Sequence, residues 1–77
     1  PMTLTDVAKK QTCRILAIKG PDNLRQRLTA LGVLRGQRVR LSANTLWGNP
    51  RTYAIGRQQI CLRNEDAVMV EVELYND

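Results

Sequence analysis

The chain has 77 residues, 43% of them hydrophobic and 25% charged, and its net charge is +5. These values predict one folded domain over residues 1–77 and argue against disorder. No apolar run reaches the ~18 residues of a membrane span, and no signal peptide opens the chain. We therefore predict a soluble cytoplasmic protein that does not insert into a membrane.

The residue types argue against catalysis and metal binding. The chain has no histidine, the commonest general base and metal ligand, and only one serine, Ser42. It also lacks a Gly-x-x-x-x-Gly-Lys-Ser/Thr phosphate loop and a Cys-x-x-Cys pair. We predict that the protein is not an enzyme and that it holds no cofactor and no metal ion.

Charged residues divide unevenly along the chain. All 12 lysines and arginines lie at or before Arg63, whereas five of the seven acidic residues follow it. This division predicts ion pairs inside the fold between a basic body and an acidic C-terminal strand. It is equally compatible with an acidic partner outside the fold.

The first half of the chain predicts a strand followed by a helix. A polar lead-in pairs as a strand near Met2–Leu4, and Thr12–Lys19 forms a β-branched strand. A helix is predicted for Asn23–Leu31, with Asp22 as its N-cap and Gly32 as the left-handed residue after its end. Its leucines recur at i, i+4 and i+7 and are expected in the core: Leu24, Leu28 and Leu31.

The second half predicts more strands, which alternate apolar and polar residues and cover Gln37–Ala43, Thr52–Ile55, Gln58–Arg63 and Val68–Leu74. In the last strand the residues expected to point inward are Val68, Val70, Val72 and Leu74, and those expected outward are Met69, Glu71 and Glu73. One helical turn is predicted for Asn64–Ala67, with Asn64 as its cap. These elements indicate a mainly β fold, a small SH3-like β-barrel, closed or nearly closed, with one short α-helix inserted after the first main strand.

Two cysteines, Cys13 and Cys61, lie far apart in apolar stretches of the sequence. Free cysteine is among the most often buried residue types. We therefore expect both to be small buried side chains, with a disulfide or a metal pair as the alternatives.

The segment Asn44–Pro50 is predicted to be a protruding loop between strands. Turn-forming residues bracket Leu46 and Trp47, and Trp is the residue type most enriched in binding hot spots. One interpretation is an interface with a partner; the alternative is that Trp47 folds back as a lid over one open end of the barrel. The predicted partner-binding residues are Leu34, Leu46, Trp47, Pro50, Arg38 and Arg40.

The arginines also permit an alternative function, a small basic β-barrel that binds RNA or DNA. Arg38 and Arg40 point to one side of a strand, and seven further arginines add positive charge. Against this, the aromatic residues do not form the interleaved row on which nucleic-acid bases stack. Nucleic acid is therefore the less favoured partner.

Three segments in register form a fairly specific pattern. They are Leu28-x-x-Leu31-Gly32-Val33-x-x-Gly36, Leu46-Trp47-Gly48-Asn49-Pro50 and Gly56-x-x-x-Ile60-Cys61-Leu62-Arg63-x-Glu65-x-Ala67. With the strands that follow them, they make Thr12–Leu74 resemble the FeoA family, the small cytoplasmic proteins that accompany the bacterial ferrous iron transporter FeoB.

The resemblance implies an SH3-like barrel with a helical insertion and no catalysis of its own. It also implies a role in ferrous iron uptake through contact with the cytoplasmic portion of FeoB. Iron is then the cargo of the pathway and not a ligand of this chain. The oligomeric state is left open, with a weak homo-oligomer as one alternative.

Overall fold

Five antiparallel strands form one sheet around a small apolar core. The computed structural model describes residues 1–44 and 47–76, with Asn44 described by its main chain alone. The strands are β1 (Thr12–Ile18), β2 (Arg38–Asn44), β3 (Arg51–Ile55), β4 (Gln58–Leu62) and β5 (Val70–Leu74), in the sheet order β4-β3-β2-β1-β5. Helix α1 (Asp22–Leu31) joins β1 to β2, and the single turn α2 (Asn64–Ala67) joins β4 to β5.

The predicted mainly β fold, with one short helix after the first main strand, is confirmed. The sheet is open, because no strand pairing joins β4 to β5 in the part of the chain that the structure describes. The N-terminal segment covers the outer edge of β5 instead: Thr3 bridges to Glu71, and the Val72 N–H donates to the Met2 carbonyl at 2.9 Å. The strand pairing predicted near Met2–Leu4 is therefore confirmed, and it protects one of the two sheet edges.

Helix α1 ends as predicted but begins one residue earlier. Gly32 adopts a left-handed conformation with φ of 102°, and its N–H donates to the Thr29 carbonyl at 3.0 Å. Asp22 was the predicted N-cap, and this is wrong: Pro21 is the N-cap and Asp22 is the first helical residue. The Asp22 carboxylate accepts a hydrogen bond from Arg25 Nη2 at 2.7 Å, within the first turn of the helix.

The predicted leucine stripe of α1 is only partly in the core. Leu24 and Leu28 are buried, as predicted, whereas Leu31 is 46% exposed. Leu31 is the last residue of the helix and lines a groove together with Pro50 and Cys61.

The core collects side chains from all five strands, both helices and the lead-in segment. Leu4 and Val7 belong to it although the lead-in shows no sequence period. A 3₁₀ turn at Leu4–Asp6 buries them, and the Thr3 N–H donates to Asp6 Oδ2 at 2.8 Å to fix its start. The other core residues are Cys13, Ile15, Leu24, Leu28, Val33, Val39, Tyr53, Ile55, Ile60, Leu62, Ala67, Val70 and Val72, while Ala54 is buried outside this cluster.

The alternation predicted for the last strand holds only from Val70 onward. Val68 and Met69 precede β5, and Val68 has helical dihedral angles as the C-cap of α2. Consequently Val68 is exposed and Met69 packs against the core, the reverse of the prediction. Leu74 was also expected inside and is exposed, because it is the last residue of an edge strand.

The cap of α2 also differs from the prediction. Arg63 is the N-cap and Asn64 is the first helical residue. The Asn64 N–H donates to Asn49 Oδ1 at 3.0 Å, and its side-chain Nδ2 donates to the Gly48 carbonyl at 3.0 Å. A side chain of the β2–β3 loop therefore caps α2, a contact that no local sequence pattern reveals.

Candidate protein-binding surfaces

A groove runs between α1 and β1 and has a volume of about 680 Å³. The pairing of β1 with β5 shifts register between Ile15 and Ala17, and residues 16–18 are all half-buried instead of alternating. This shift turns apolar side chains of β1 toward the helix. We call this surface the α1–β1 groove; its lining residues are Leu16, Ala17, Ile18, Arg25, Gln26, Thr29, Ala30, Val33, Leu34 and Arg35.

Leu34 and Arg35 line the α1–β1 groove where the chain leaves the helix. Leu34 is 41% exposed, and the link that carries it is tied down because the Gly36 N–H donates to the Ile15 carbonyl at 2.7 Å. Arg35 makes no ion pair with the described residues, whereas Arg25 pairs with Asp22 at 2.7 Å. An apolar floor with a basic rim suits an apolar protein segment that carries acidic residues.

The loop between β2 and β3 presents a large apolar side chain to solvent. Trp47 is 85% exposed, so the alternative in which it folds back as a lid over the barrel end is wrong. The loop after it is anchored, because Arg51 Nε donates to the Gly48 carbonyl at 3.0 Å. Leu46, the neighbouring predicted contact, lies outside the described residues.

Pro50 lies in a second groove of about 360 Å³, between α1, β4 and α2. Cys61 lines this groove and is exposed, so the prediction that it is buried is wrong. The side chains of β4 alternate, and the inward positions belong to Ile60 and Leu62. Cys13 is buried as predicted, and burial raises the pKa of its thiol. Both cysteines are free, so the disulfide alternative is wrong.

Arg38 and Arg40 lie on the outer face of β2, where the strand register sets them opposite Arg14 and Thr12. They line a third cleft, of about 330 Å³, that shares no residue with the other two. The structure thus places Leu34, Pro50 and the two arginines in three separate surfaces, with Trp47 on the exposed loop. The role of each in partner binding stays a prediction.

The acidic C-terminal strand pairs with the basic body of the protein, as predicted. Glu73 accepts a hydrogen bond from Arg14 Nη2 at 2.7 Å, and Glu71 lies 3.8 Å from Lys19 Nζ. Asp66 pairs with Arg27 at 3.1 Å. In these contacts the carboxylates of the C-terminal region pair with basic residues of the same chain. The remaining basic residues give the surface an excess of positive charge.

A metal site and a membrane span each have requirements that the described residues do not meet. Among the described residues, no group of three or more His, Cys, Asp or Glu side chains could hold a metal ion. The same part of the chain contains no helix that is long and apolar enough to cross a membrane. What the described surfaces offer is apolar and cationic contact area.

The family model for the FeoA domain matches residues 2–74. The chain belongs to the FeoA family. The predicted family is therefore confirmed, and the match covers all of the described strands and both helices. Among curated proteins, none matches the chain significantly.

Solved structures of FeoA proteins share this fold. The iron(II) transport protein A of Clostridium thermocellum is similar with a TM-score of 0.88 and 26% identity, over 95% of this chain and 45% of that one. The FeoA of Stenotrophomonas maltophilia, solved in complex with zinc, has a TM-score of 0.81 and 26% identity, over 95% of this chain and 91% of that one. The FeoA protein of Chlorobium tepidum has a TM-score of 0.88 and 19% identity, over 97% of this chain and 71% of that one. That likeness shows the fold alone.

The Stenotrophomonas protein is described as a prokaryotic SH3 domain protein proposed to act as a ferrous iron transport activating factor. This description agrees with the SH3-like architecture predicted from the present sequence. The chain spans about half the length of the Clostridium thermocellum protein, so the activity of the whole relative does not transfer automatically.

Proposed function

We propose that this protein is a non-catalytic, cytoplasmic accessory factor of ferrous iron uptake, one FeoA domain over residues 1–77, that acts by contact with the cytoplasmic portion of a FeoB-type transporter. Membership of the FeoA family and the likeness to two proteins named for iron(II) or ferrous iron transport support this role. The observation that carries the proposal is the α1–β1 groove, an apolar surface that the fold itself leaves uncovered.

The contact is expected to centre on Leu34 at the rim of the groove. Burial of apolar surface is the main favourable term in protein association, and Leu34 keeps 41% of its surface exposed in the isolated chain. The loop that carries Trp47 and Pro50, with its neighbour Leu46, supplies a second contact. Arg38 and Arg40 supply a third contact on another face of the domain. Such a contact requires either a partner that reaches around the domain or a second segment of that partner.

Substitution of Leu34 tests the groove contact. We expect Leu34→Ser to weaken binding to the FeoB cytoplasmic portion by about 1–2 kcal/mol, because one apolar anchor is lost, and to slow ferrous iron uptake in cells. Calorimetric titration measures the first effect. Leu74→Ser is the matched control, since Leu74 is 56% exposed but lines none of the three surfaces. Equal losses in the two variants, or no binding by the unmodified protein, contradict the proposal.

The alternative of RNA or DNA binding has less support from the geometry. Tyr75 is the aromatic residue beside the outer-face arginines, and its ring already contacts both Arg14 and Arg38. Tyr53 is fully buried. Trp47 stands alone on its loop, so the described residues offer no row of stacking platforms for bases.

A further inference from the structure

Three arginines stand side by side on the outer face of β1 and β2. Arg14 is opposite Arg38 across the two strands, and Arg40 follows Arg38 on the same face of β2. Glu73, opposite Arg14 on β5, accepts a hydrogen bond from its Nη2 at 2.7 Å. Arg14 and Arg38 are like charges at facing strand positions, which repel each other. Arg40 adds a third positive charge on the same face.

Tyr75 holds two of these guanidinium groups in place. The centroid of its ring lies 4.7 Å from Arg38 Cζ and 5.2 Å from Arg14 Cζ. Its hydroxyl also accepts a hydrogen bond from Arg38 Nη2 at 3.1 Å. A guanidinium that is already oriented loses less conformational freedom when an anion binds, which favours binding.

The third cleft opens directly beside this cluster. Its lining includes Thr12, Arg38 and Arg40 and contains no acidic residue. Ala54 faces Arg40 from β3, and its small side chain leaves room over the strand. Arg40 makes no ion pair with the described residues, so its five N–H donors have no carboxylate partner there.

We propose that this cleft binds carboxylate side chains of an acidic protein segment, with Arg40 as the principal contact and the Thr12 hydroxyl as a further donor. Arg14, in the same cluster, already holds a carboxylate, because its Nε and Nη2 donate to Glu73 Oε2 at 3.1 and 2.7 Å. Nucleic acid fits less well because the ring of Tyr75 is covered by two arginines. The inference rests on the proposed function only for the origin of the segment, and its test uses this chain alone.

The test is a titration of isotope-labelled protein with an oligo-glutamate peptide at low salt, followed by amide NMR signals. We expect shifts at Thr12, Arg40 and Ala54, and we expect Arg40→Gln to weaken binding roughly three- to fivefold. The matched control is Arg63→Gln, which loses the same charge in the separate groove beside Pro50. The amide spectrum of each variant without peptide shows that the fold is retained.

Three results would overturn the inference. The first is the absence of detectable peptide binding. The second is an equal loss in Arg40→Gln and Arg63→Gln, which indicates attraction to net charge alone. The third is a single-stranded DNA oligonucleotide that binds the same cleft more tightly than the peptide does. All three leave the contact with FeoB through the α1–β1 groove standing, because that contact is measured with Leu34→Ser.

Discussion

At the scale of single residues, exposure separates side chains that fold the protein from those available to a partner. Leu28 is fully buried between α1 and the sheet, whereas Trp47 is 85% exposed on its loop. Both are large apolar residues, and sequence alone gave Trp47 two interpretations. The structure removes the lid interpretation, because a side chain this exposed contributes little to the core.

Substitution of these two residues is expected to have opposite effects on stability. Leu28→Ala should lower the free energy of unfolding by about 2–5 kcal/mol, because it opens a cavity in a small core. Trp47→Ala should change it by less than about 0.5 kcal/mol, while weakening association with the FeoB cytoplasmic portion by about 2–4 kcal/mol. Urea denaturation and calorimetric titration measure the two quantities. A loss of stability in Trp47→Ala as large as that in Leu28→Ala contradicts this assignment.

At the scale of elements, local pattern predicted the helix and strands well. Alternation located β2 and β4, and the spacing of Leu24 and Leu28 located α1. The errors occur where an element meets its neighbours. Asp22 is the first residue of α1 and not its cap, and α2 is capped by the distant Asn49. The contact from Asn49 depends on tertiary structure, so periodicity cannot reveal it.

The candidate surfaces were less predictable than the fold. Leu34 was named as a contact, but the α1–β1 groove exists because β1 shifts register after Ile15, and a strand pattern does not specify a bulge. Cys61 was placed inside because its neighbours are apolar, yet its position in the alternation of β4 turns it outward. Arg40 was also named as a contact, but the cleft it lines was not predicted, because that cleft depends on the register that places Arg40 beside Arg38 and Thr12 with Ala54 facing it.

Two glycines that end turns provide a prediction at this scale. Gly32 and Gly36 both have positive φ, 102° and 89°, so alanine at either position should cost about 1–2 kcal/mol of folding stability. A Cβ at Gly32 would lie 2.8 Å from Gln58 Oε1, whereas one at Gly36 would meet nothing within 4 Å. The Gln58 side chain is exposed and can turn away. Chemical denaturation should therefore give similar costs for the two variants. A much larger cost for Gly32→Ala would show that the Gln58 side chain is held in place against the end of α1.

At the scale of the whole molecule, acidic residues of the C-terminal region pair with basic residues on the surface of the fold. Glu73 of β5 pairs with Arg14 of β1, Glu71 pairs with Lys19 just after β1, and α2 pairs with α1 through Asp66. These exposed pairs contribute little stability each. Their larger effect is to leave arginines such as Arg35 and Arg40 as the charges that a partner meets.

Titration of two buried groups sets the expected response of the whole fold to alkaline pH. Burial raises the pKa of the Cys13 thiol. Burial also raises the pKa of Tyr53, against the opposing effect of the Arg51 charge. In both cases the folded state keeps a proton that the unfolded state releases. The stabilising contribution is therefore complete below the unfolded pKa of a cysteine, about 8.5, and is lost as pH rises through the higher folded value.

The unfolding free energy should consequently decline from about pH 8.5 upward, first through Cys13 and then, near pH 10, through Tyr53. Urea denaturation at a series of pH values measures the slope. Cys13→Ala removes the first group, so its stability, although lower at pH 7, should fall less steeply just above pH 8.5. Cys61→Ala is the matched control, because it removes an exposed thiol and leaves the buried Cys13 in place. Identical slopes in the two variants would show that the buried thiol does not control alkaline stability.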